Sequence, residues 1–239
     1  MCTVTYLPLN NKSFILTSNR DEGQQRKIAL PPEKYTIHGT NVYFPKDMDA
    51  NGTWFAAAET TFTLCILNGA FERHEHHPPY RLSRGIMLLD FFSYNNVHHF
   101  LGQYNFEGIE PFTLLIFEQN TETVIHEIRW DEKQIYYITK DAASPLIWSS
   151  AQLYAKQVIR QREQWFDDWL KAKNEFTMQK IIHFHKTGGT GDNNNDLLMN
   201  RDGKVFTVSI TSIKREEKES IMRYEDMISN IGVKEIKIG

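Results

Sequence analysis

The chain begins with MCTVTYL (residues 1–7), and TSNRDE (residues 17–22) follows after one further predicted strand. A methionine that precedes a small residue is normally removed during synthesis, so we expect Cys2 to become the first residue. Its thiol and its free α-amine would then share one carbon, with ordinary pKa values of about 8.5 and about 8. A nucleophile and its own base would lie on one residue. The two stretches therefore predict an N-terminal cysteine nucleophile.

The two stretches are also predicted to lie side by side. Residues 2–7 are rich in β-branched and aromatic side chains, and residues 14–17 form a second apolar run. The polar residues 9–12 between them fit a hairpin turn. Two antiparallel strands return the chain to its starting end, so Arg20 and Asp21 are expected beside Cys2.

The rest of the sequence contains runs of predicted strands and a few helices. Strand-like segments cover residues 52–58, 61–69, 112–118, 123–129, 135–139, 146–150, 205–210 and 220–224. The first two form a predicted hairpin that closes at an Asn68-Gly69 turn. Helical spacing covers residues 80–101, with a break near 94–96, and residues 151–172 and 175–185. We predict one α+β domain over residues 1–239, with mainly antiparallel sheets.

Composition argues against several classes of partner and location. The formal charge is only −3 over 239 residues, so we expect no nucleic-acid partner. No apolar run is long enough to span a bilayer, and no signal peptide is recognisable. Cys2 and Cys65 are the only cysteines, which favours a reducing compartment and a cytoplasmic location. The expected partner is a small-molecule ligand or substrate, and the sequence does not indicate an oligomeric state.

Histidine clusters and a glycine-rich loop invite other readings of the chemistry. His74, His76 and His77 lie in one segment, but no HExxH or CxxC motif accompanies them. The GGTG stretch at residues 188–191 lacks the lysine and hydroxyl residue of a phosphate-binding loop. We therefore predict no dedicated metal or nucleotide site.

The opening stretches resemble the NRDE family, also called the transport and Golgi organisation 2 family. MCT at residues 1–3 and SNRDE at residues 18–22 carry the resemblance, together with TWFA at 53–56 and LNG at 67–69. More distantly, the start is similar to that of penicillin V acylases and conjugated bile acid hydrolases. These are N-terminal nucleophile (Ntn) hydrolases. The resemblance implies their fold, a four-layer αββα sandwich of two mainly antiparallel sheets.

The resemblance to the hydrolases also implies a role for each of four residues. Cys2 would attack a carbonyl carbon, and Arg20 would favour its thiolate. Asp21 would accept a hydrogen bond from the α-amine, and Asn68 would donate one to the developing oxyanion. The hydrolases have a second asparagine beside the amine, whereas the matching junction here ends in Ser150. This departure counts against efficient amide hydrolysis.

Three functions remain open at this stage. The first is hydrolysis of a linear, non-peptide C–N amide bond through an acyl-Cys2 intermediate, which requires no cofactor. The second is a non-catalytic binding or trafficking protein for haem, an acyl-lipid or acyl-CoA, as the resemblance to NRDE relatives implies. Haem would need an axial ligand such as a histidine. The third is an interaction scaffold that retains only the hydrolase fold.

Overall fold

The computed structural model describes residues 3–172, 175–229 and 231–239 and consists of strands and helices in four layers. In chain order the strands are β1 (Thr3–Pro8), β2 (Phe14–Gly23), β3 (Leu30–Ile37), β4 (Thr40–Lys46), β5 (Phe55–Ala58), β6 (Phe62–Asn68), β7 (Phe112–Gln119), β8 (Thr123–Trp130), β9 (Ile135–Lys140), β10 (Leu146–Ser149), β11 (Asn200–Arg201), β12 (Val205–Arg215), β13 (Ser220–Asp226) and β14 (Val233–Ile238). The helices are α1 (Arg84–Asp90), α2 (Val97–Gln103), α3 (Lys156–Lys171) and α4 (Met178–Thr187).

In the part of the chain that the structure describes, the strands form two antiparallel sheets of seven strands each. The first sheet has the order β10-β1-β2-β12-β13-β14, and the short β11 pairs with β12. The second sheet runs β3-β4-β5-β6-β7-β8-β9, so its strands follow chain order throughout. The N-terminal strand β1 therefore has neighbours on both sides, β2 and β10.

The main core lies between the two sheets, because alternate residues of their strands are apolar and face each other. Tyr6 of the first sheet stacks on Phe117 of the second, with ring centroids 5.4 Å apart, and Phe14 lies 5.4 Å from both rings. On the outer face of the first sheet, Leu7 and Ile15 pack in one cluster with residues of α3 and α4.

The outer face of the second sheet is covered by α1 and α2. Phe62 of β6 meets Phe91, at the end of α1, edge to face at 5.0 Å. Phe100 of α2 packs on the same ring at 5.4 Å. The layers are thus helix, sheet, sheet and helix, and the predicted αββα sandwich is confirmed.

Several boundaries differ from the sequence predictions. The predicted hairpin of β1 and β2 is present, but β2 extends to Gly23, so the NRDE residues lie within the strand. The predicted Asn68-Gly69 hairpin turn is wrong. β6 pairs with β7, which begins only at Phe112, and the Gly69 amide donates to the Pro111 carbonyl at 3.0 Å. α3 begins at Lys156 rather than at residue 151, and α4 spans Met178–Thr187 rather than residues 175–185.

Strands β3, β4, β14 and the two-residue β11 were not predicted. Pro31 and Pro32 weaken the strand signal of β3, which is an edge strand whose pairing with β4 contains an irregularity at these residues. Proline is tolerated at such positions because an edge strand leaves amide positions unpaired. β14 is an edge strand of the first sheet, and its adjacent charged residues Lys234 and Glu235 interrupt any apolar alternation, which gives it a weak strand signal. None of the helices in the described residues is long and apolar enough to cross a membrane.

Candidate functional site

The predicted nucleophile Cys2 lies outside the described residues, which begin at its neighbour Thr3. Thr3 starts β1 and pairs with Asn19 of β2 on one side and with Ser149 of β10 on the other. The next residues along these two strands are Arg20 and Ser150. The surroundings of the strand start can therefore be described from both sides.

Arg20 is a buried cation between the two sheets. Its side chain is 2 % exposed, and its Nη2 donates to the Asp47 carboxylate at 2.5 Å. Its guanidinium carbon lies 4.2 Å from the centre of the Trp54 ring, a cation–π contact. A third partner is Glu22, whose Oε1 is 3.4 Å from the Arg20 Nε. These contacts fix the position of the guanidinium.

Asp47 anchors this part of the site. It also accepts hydrogen bonds from Arg26, at 2.9 and 3.2 Å, and from the backbone amides of Asp49 and Ala50. Burial alone would raise the pKa of the Asp47 carboxyl. The Ala50 amide and the guanidinium groups of Arg20 and Arg26 outweigh that effect, so this pKa lies below its ordinary value. Asp47 is thus ionised at neutral pH and pairs with Arg20.

Asn68 ends strand β6 and is held by its backbone. Its carbonyl accepts hydrogen bonds from the Ser150 hydroxyl at 2.7 Å and from the Gln152 amide at 3.3 Å. The next residue is Gly69, which has φ +85° and leaves no room for a side chain, because a Cβ there would lie 2.7 Å from the Gln152 nitrogen. Ser150 is fully buried and ties the end of β10 to the end of β6.

Asp21 lies on the opposite face of β2 from Arg20, because successive side chains of a strand alternate. Its carboxylate accepts hydrogen bonds from the Tyr154 hydroxyl and the Thr207 hydroxyl, both at 2.6 Å. Only 2 % of Asp21 is exposed. Arg20 and Asp21, adjacent in the motif, therefore face different layers of the sandwich.

A cleft of about 610 Å³ opens beside Arg20 and is lined by both sheets and the start of α1. Asn68 and Trp54 line it as well. The other charged side chains in its wall are Glu22, Arg26, Asp47, Arg81, Arg84 and Glu110. The walls thus carry four arginines and three carboxylates, so the cleft favours ligands with an acidic or strongly polar group.

Glu110 forms a second charged cluster at this cleft. It accepts hydrogen bonds from His74 at 3.1 Å and from His76 at 3.2 Å, and it pairs with Arg84 at 2.9 Å. Burial would raise the pKa of the Glu110 carboxyl, but Arg84 and the two imidazoles hold it below its ordinary value. Burial has the larger effect on Arg84 and lowers the pKa of its guanidinium. His76 is 62 % exposed, so this cluster reaches the solvent.

The three predicted site residues that the structure describes lie in two places. Arg20 and Asn68 line one cleft, whereas Asp21 accepts hydrogen bonds from Tyr154 and Thr207 on the opposite face of β2. Cys2 lies outside the described residues. Sequence reasoning missed Asp47 and Glu110, because each is an isolated acid in a polar segment and its partners lie in other elements. The histidines of residues 74–77 were the one signal of the Glu110 cluster. Within the described residues, no group of three or more His, Cys, Asp or Glu side chains is arranged to hold a metal ion.

Comparisons with known proteins identify the family and the fold of the chain. A family model described as Transport and Golgi organisation 2 matches residues 1–234. No curated protein matches the sequence significantly.

Several solved structures share the fold. One is the C2A mutant of conjugated bile acid hydrolase from Clostridium perfringens, with a TM-score of 0.59 and 10 % identity over 100 % of this chain and 92 % of that one. The Caenorhabditis elegans ortholog of N-acylethanolamine-hydrolyzing acid amidase has a TM-score of 0.51 and 11 % identity over 89 % and 92 % of the two chains. Penicillin V acylase from Agrobacterium tumefaciens has a TM-score of 0.50 and 10 % identity over 100 % and 86 %. At this identity the likeness establishes the fold alone.

Proposed function

The chain belongs to the Transport and Golgi organisation 2 family and has the fold of the Ntn hydrolases, and from this premise we propose that it is an N-terminal cysteine amidohydrolase. Cys2, freed of Met1, is the nucleophile. The bond that it cleaves is a linear, non-peptide C–N amide. One of the proteins of similar fold is named for hydrolysing N-acylethanolamines, which contain such a bond.

The observation that supports this proposal is the strand register at the start of β1. Thr3, bonded to Cys2, pairs with Asn19 and Ser149. One residue further along these neighbours are Arg20, which lines the cleft, and Ser150, which donates to the carbonyl of Asn68. Consecutive Cα atoms are about 3.8 Å apart, so the nucleophile is covalently tethered next to these groups.

The proposed reaction proceeds in two acyl-transfer steps. The α-amine of Cys2 takes the thiol proton, and the sulfur attacks the amide carbon to form a tetrahedral oxyanion. The side-chain amide of Asn68 donates a hydrogen bond to this oxyanion. The protonated amine then passes its proton to the leaving nitrogen as the C–N bond breaks, which yields an acyl-Cys2 thioester. Water, deprotonated by the same amine, hydrolyses the thioester and releases the acid.

Arg20 has an electrostatic role in this scheme. Its charge is held at one position by Asp47 and Trp54. A fixed neighbouring cation favours a thiolate over a thiol. Because Asp47 offsets part of this charge, we expect Arg20 to contribute less than an unpaired arginine would.

The test is to trap the acyl-enzyme. The intact mass of the purified protein is measured to establish removal of Met1. The protein is then mixed with a panel of N-acyl amides, quenched with acid and digested. The expected result is acylation of Cys2 and none of Cys65, which is fully buried and whose burial raises the pKa of its thiol to about 12.

Two variants give this experiment its controls. Cys2→Ala is expected to abolish both the acyl adduct and amide turnover. Cys65→Ala keeps the N-terminal thiol and is expected to retain both. Retained Met1, or amide turnover that survives Cys2→Ala, would contradict the proposal. A free N-terminal thiol also fits a reducing compartment, and we propose the cytoplasm as the site of action.

A second candidate is a binding protein that uses the same cleft, with haem as the ligand. The observation that favours it is His76, which lines the cleft and whose imidazole is 62 % exposed. Histidine is a common axial ligand of haem iron. The arginines of the cleft would pair with the haem propionates.

The haem proposal is tested by titrating the protein with hemin and following the Soret band. The expected result is a shift that His76→Ala removes. His77→Ala is the matched control, because His77 is as exposed, at 66 %, but does not line the cleft. A Soret shift that is unchanged in His76→Ala would refute the assignment of the ligand. If the ligand is instead an acyl-lipid or acyl-CoA, it would displace an acyl probe from the cleft, and hemin would give no Soret shift.

A further inference from the structure

A second cavity, of about 460 Å³, lies at the start of α3. Three stretches that are far apart in sequence line it: residues 71–73, the region 151–159, and residues 195 and 201. Its volume falls within the range of about 300–1,000 Å³ that is usual for small-molecule sites. Among the described residues, none lines both this cavity and the cleft beside Arg20, so the two are separate places.

Tyr154 places this cavity on the other side of β2 from the cleft. Tyr154 lines the cavity, and its hydroxyl donates to the Asp21 carboxylate at 2.6 Å. Asp21 and Arg20 point to opposite faces of β2, and Arg20 lines the cleft. A ligand bound in this cavity would therefore not depend on the proposed hydrolase activity.

The wall of the cavity carries more positive than negative charge. Its cations are Arg73, Lys156 and Arg201. Glu72 is the only acid among the described lining residues, and it pairs with Lys156 at 2.5 Å. Arg73 is exposed, and none of the described residues forms an ion pair with it. The charges of Arg73 and Arg201 are therefore not neutralised within the wall.

Arg201 is a partly exposed cation of this wall. Its Nε donates to the Asn194 carbonyl at 3.0 Å, and its Nη2 donates to the Leu153 carbonyl at 3.1 Å. Its guanidinium carbon lies 5.3 Å from the centre of the Tyr154 ring. Both carbonyl partners are uncharged, so the guanidinium can still pair with an anion in the cavity. The start of α3 adds to the positive potential, because Ala155 provides no side-chain cap and the first turn contains no acidic residue.

The other walls of the cavity are apolar. Val158 and Ile159 of α3 line it, and so does Phe71, which is 44 % exposed. The Phe71 ring meets Tyr136 of β9 edge to face at 4.8 Å, and Ile138, on the same face of that strand, is exposed as well. Large apolar side chains that are exposed together commonly mark a place where a ligand or a partner binds. The cavity thus combines an apolar surface with unneutralised cations.

We propose that this cavity is a second binding site, which takes a small amphipathic anion with an acidic head group on an apolar body. The head group pairs with Arg201 and Arg73, and the apolar body covers Phe71, Val158 and Ile159. Both halves of the ligand are required. An inorganic anion leaves the apolar wall in contact with water, and a neutral apolar compound leaves the two guanidinium groups without an anionic partner.

The test uses anilinonaphthalene sulfonate, a fluorescent aromatic sulfonate, as the probe. We expect the wild type to bind it saturably and decanoate to displace it. Inorganic phosphate and decanol at the same concentration should not displace it, because each offers only half of the chemistry. Displacement by phosphate or decanol as effective as that by decanoate would overturn the proposal, as would the absence of saturable binding.

Two variants locate the bound probe. Arg73→Met removes one cation and is expected to raise the Kd of the probe about tenfold. Val158→Glu places a carboxylate in the apolar wall and should raise the Kd by more than that, because it repels the sulfonate. Neither replaced side chain is buried, so both variants should fold, which circular dichroism checks.

Two further variants are the matched controls. Arg160 is exposed on the same helix but does not line the cavity, and Arg81 is exposed and lines the cleft beside Arg20 instead. Arg160→Met and Arg81→Met should therefore leave the Kd of the probe unchanged. An unchanged Kd in both Arg73→Met and Val158→Glu would refute the site, and so would an equal loss of affinity in Arg81→Met.

Discussion

Replacement of Asp47 by asparagine is predicted to be the most destabilising isosteric change in the cleft. Asp47 neutralises Arg20, whose guanidinium is 2 % exposed. In Asp47→Asn the side-chain volume and the acceptor for the Asp49 and Ala50 amides are kept, but the negative charge is lost. Arg20 would then remain buried beside a neutral amide.

The magnitude follows from the burial of the pair. Removal of one partner of a buried ion pair costs about 3–5 kcal/mol. Since asparagine keeps some hydrogen bonds and Arg26 is partly exposed, we expect the lower end, about 3 kcal/mol in the free energy of unfolding at pH 7. For a chain of this length, that corresponds to a melting temperature lower by about 6–12 °C.

The same variant carries a pH signature. The pKa of Asp47 is lower in the folded protein than its ordinary value, so the stabilisation is fully present above pH 3.8 and is lost as the pH falls toward the folded pKa. The difference between the wild type and Asp47→Asn should therefore be smaller at pH 3 than at pH 7.

Urea unfolding followed by circular dichroism, at pH 7 and at pH 3, measures both quantities. Asp49→Asn is the control, because Asp49 is a neighbouring acid with 28 % of its side chain exposed, and its loss should cost much less than the loss of Asp47. The reasoning is refuted if Asp47→Asn costs less than about 1 kcal/mol, or if Asp49→Asn costs as much.

Three further predictions concern the scaffold around the site. Gly69→Ala should cost about 3 kcal/mol or more in unfolding free energy, because its Cβ would clash with the Gln152 backbone nitrogen. Gly39→Ala is the control: Gly39 has φ +80° but lies in open space, so the change should cost only about 1–2 kcal/mol of backbone strain. Equal losses in the two variants would contradict the steric argument. Ser150→Ala should lower the free energy of unfolding by about 1–2 kcal/mol, because it removes the hydroxyl that donates to the Asn68 carbonyl. A denaturation curve unchanged from that of the wild type would show that this hydrogen bond does not contribute to stability. Between pH 7 and pH 5 the unfolding free energy of the wild type should fall by about 2 kcal/mol relative to that of His185→Gln. The reason is that the imidazole of the unfolded chain takes up a proton below pH 6.5, whereas the buried imidazole of the folded protein stays neutral down to about pH 3. Urea unfolding at both pH values tests this, and an equal difference between the two proteins at pH 7 and pH 5 would disprove it.

The central strands could be predicted from sequence because they contain short runs of apolar, aromatic and β-branched residues. Tyr6, Phe14 and Leu16 face the second sheet, and Leu7 and Ile15 face the helices. This two-sided burial left a clear strand signal in β1 and at the start of β2. The pattern stops at Thr17, and from there the strand carries polar residues. Local propensity therefore predicted the end of β2 six residues too early.

The continuation of β2 depends on partners that are remote in sequence. Asn19 donates to the Leu197 carbonyl at 2.6 Å and accepts from the His185 Nδ1 at 2.7 Å. Arg20 pairs with Asp47, and Asp21 with Tyr154, which lies 133 residues further along the chain. Buried polar residues are stable only when their hydrogen bonds are made. No local pattern reports these contacts, so neither the length of β2 nor the location of Asp21 followed from the sequence.

The residues of the NRDE motif do not all line one pocket. Because the motif is a strand, it alternates between two layers. Asn19 accepts a hydrogen bond from His185 of α4, and Asp21 accepts one from Tyr154, which precedes α3. Arg20 instead pairs with Asp47 and stacks on Trp54, beside the second sheet. A one-residue shift of β2 would exchange these faces and separate Arg20 from Asp47 and Trp54. The motif therefore specifies the strand register, and with it the neighbours of Thr3 at the start of β1.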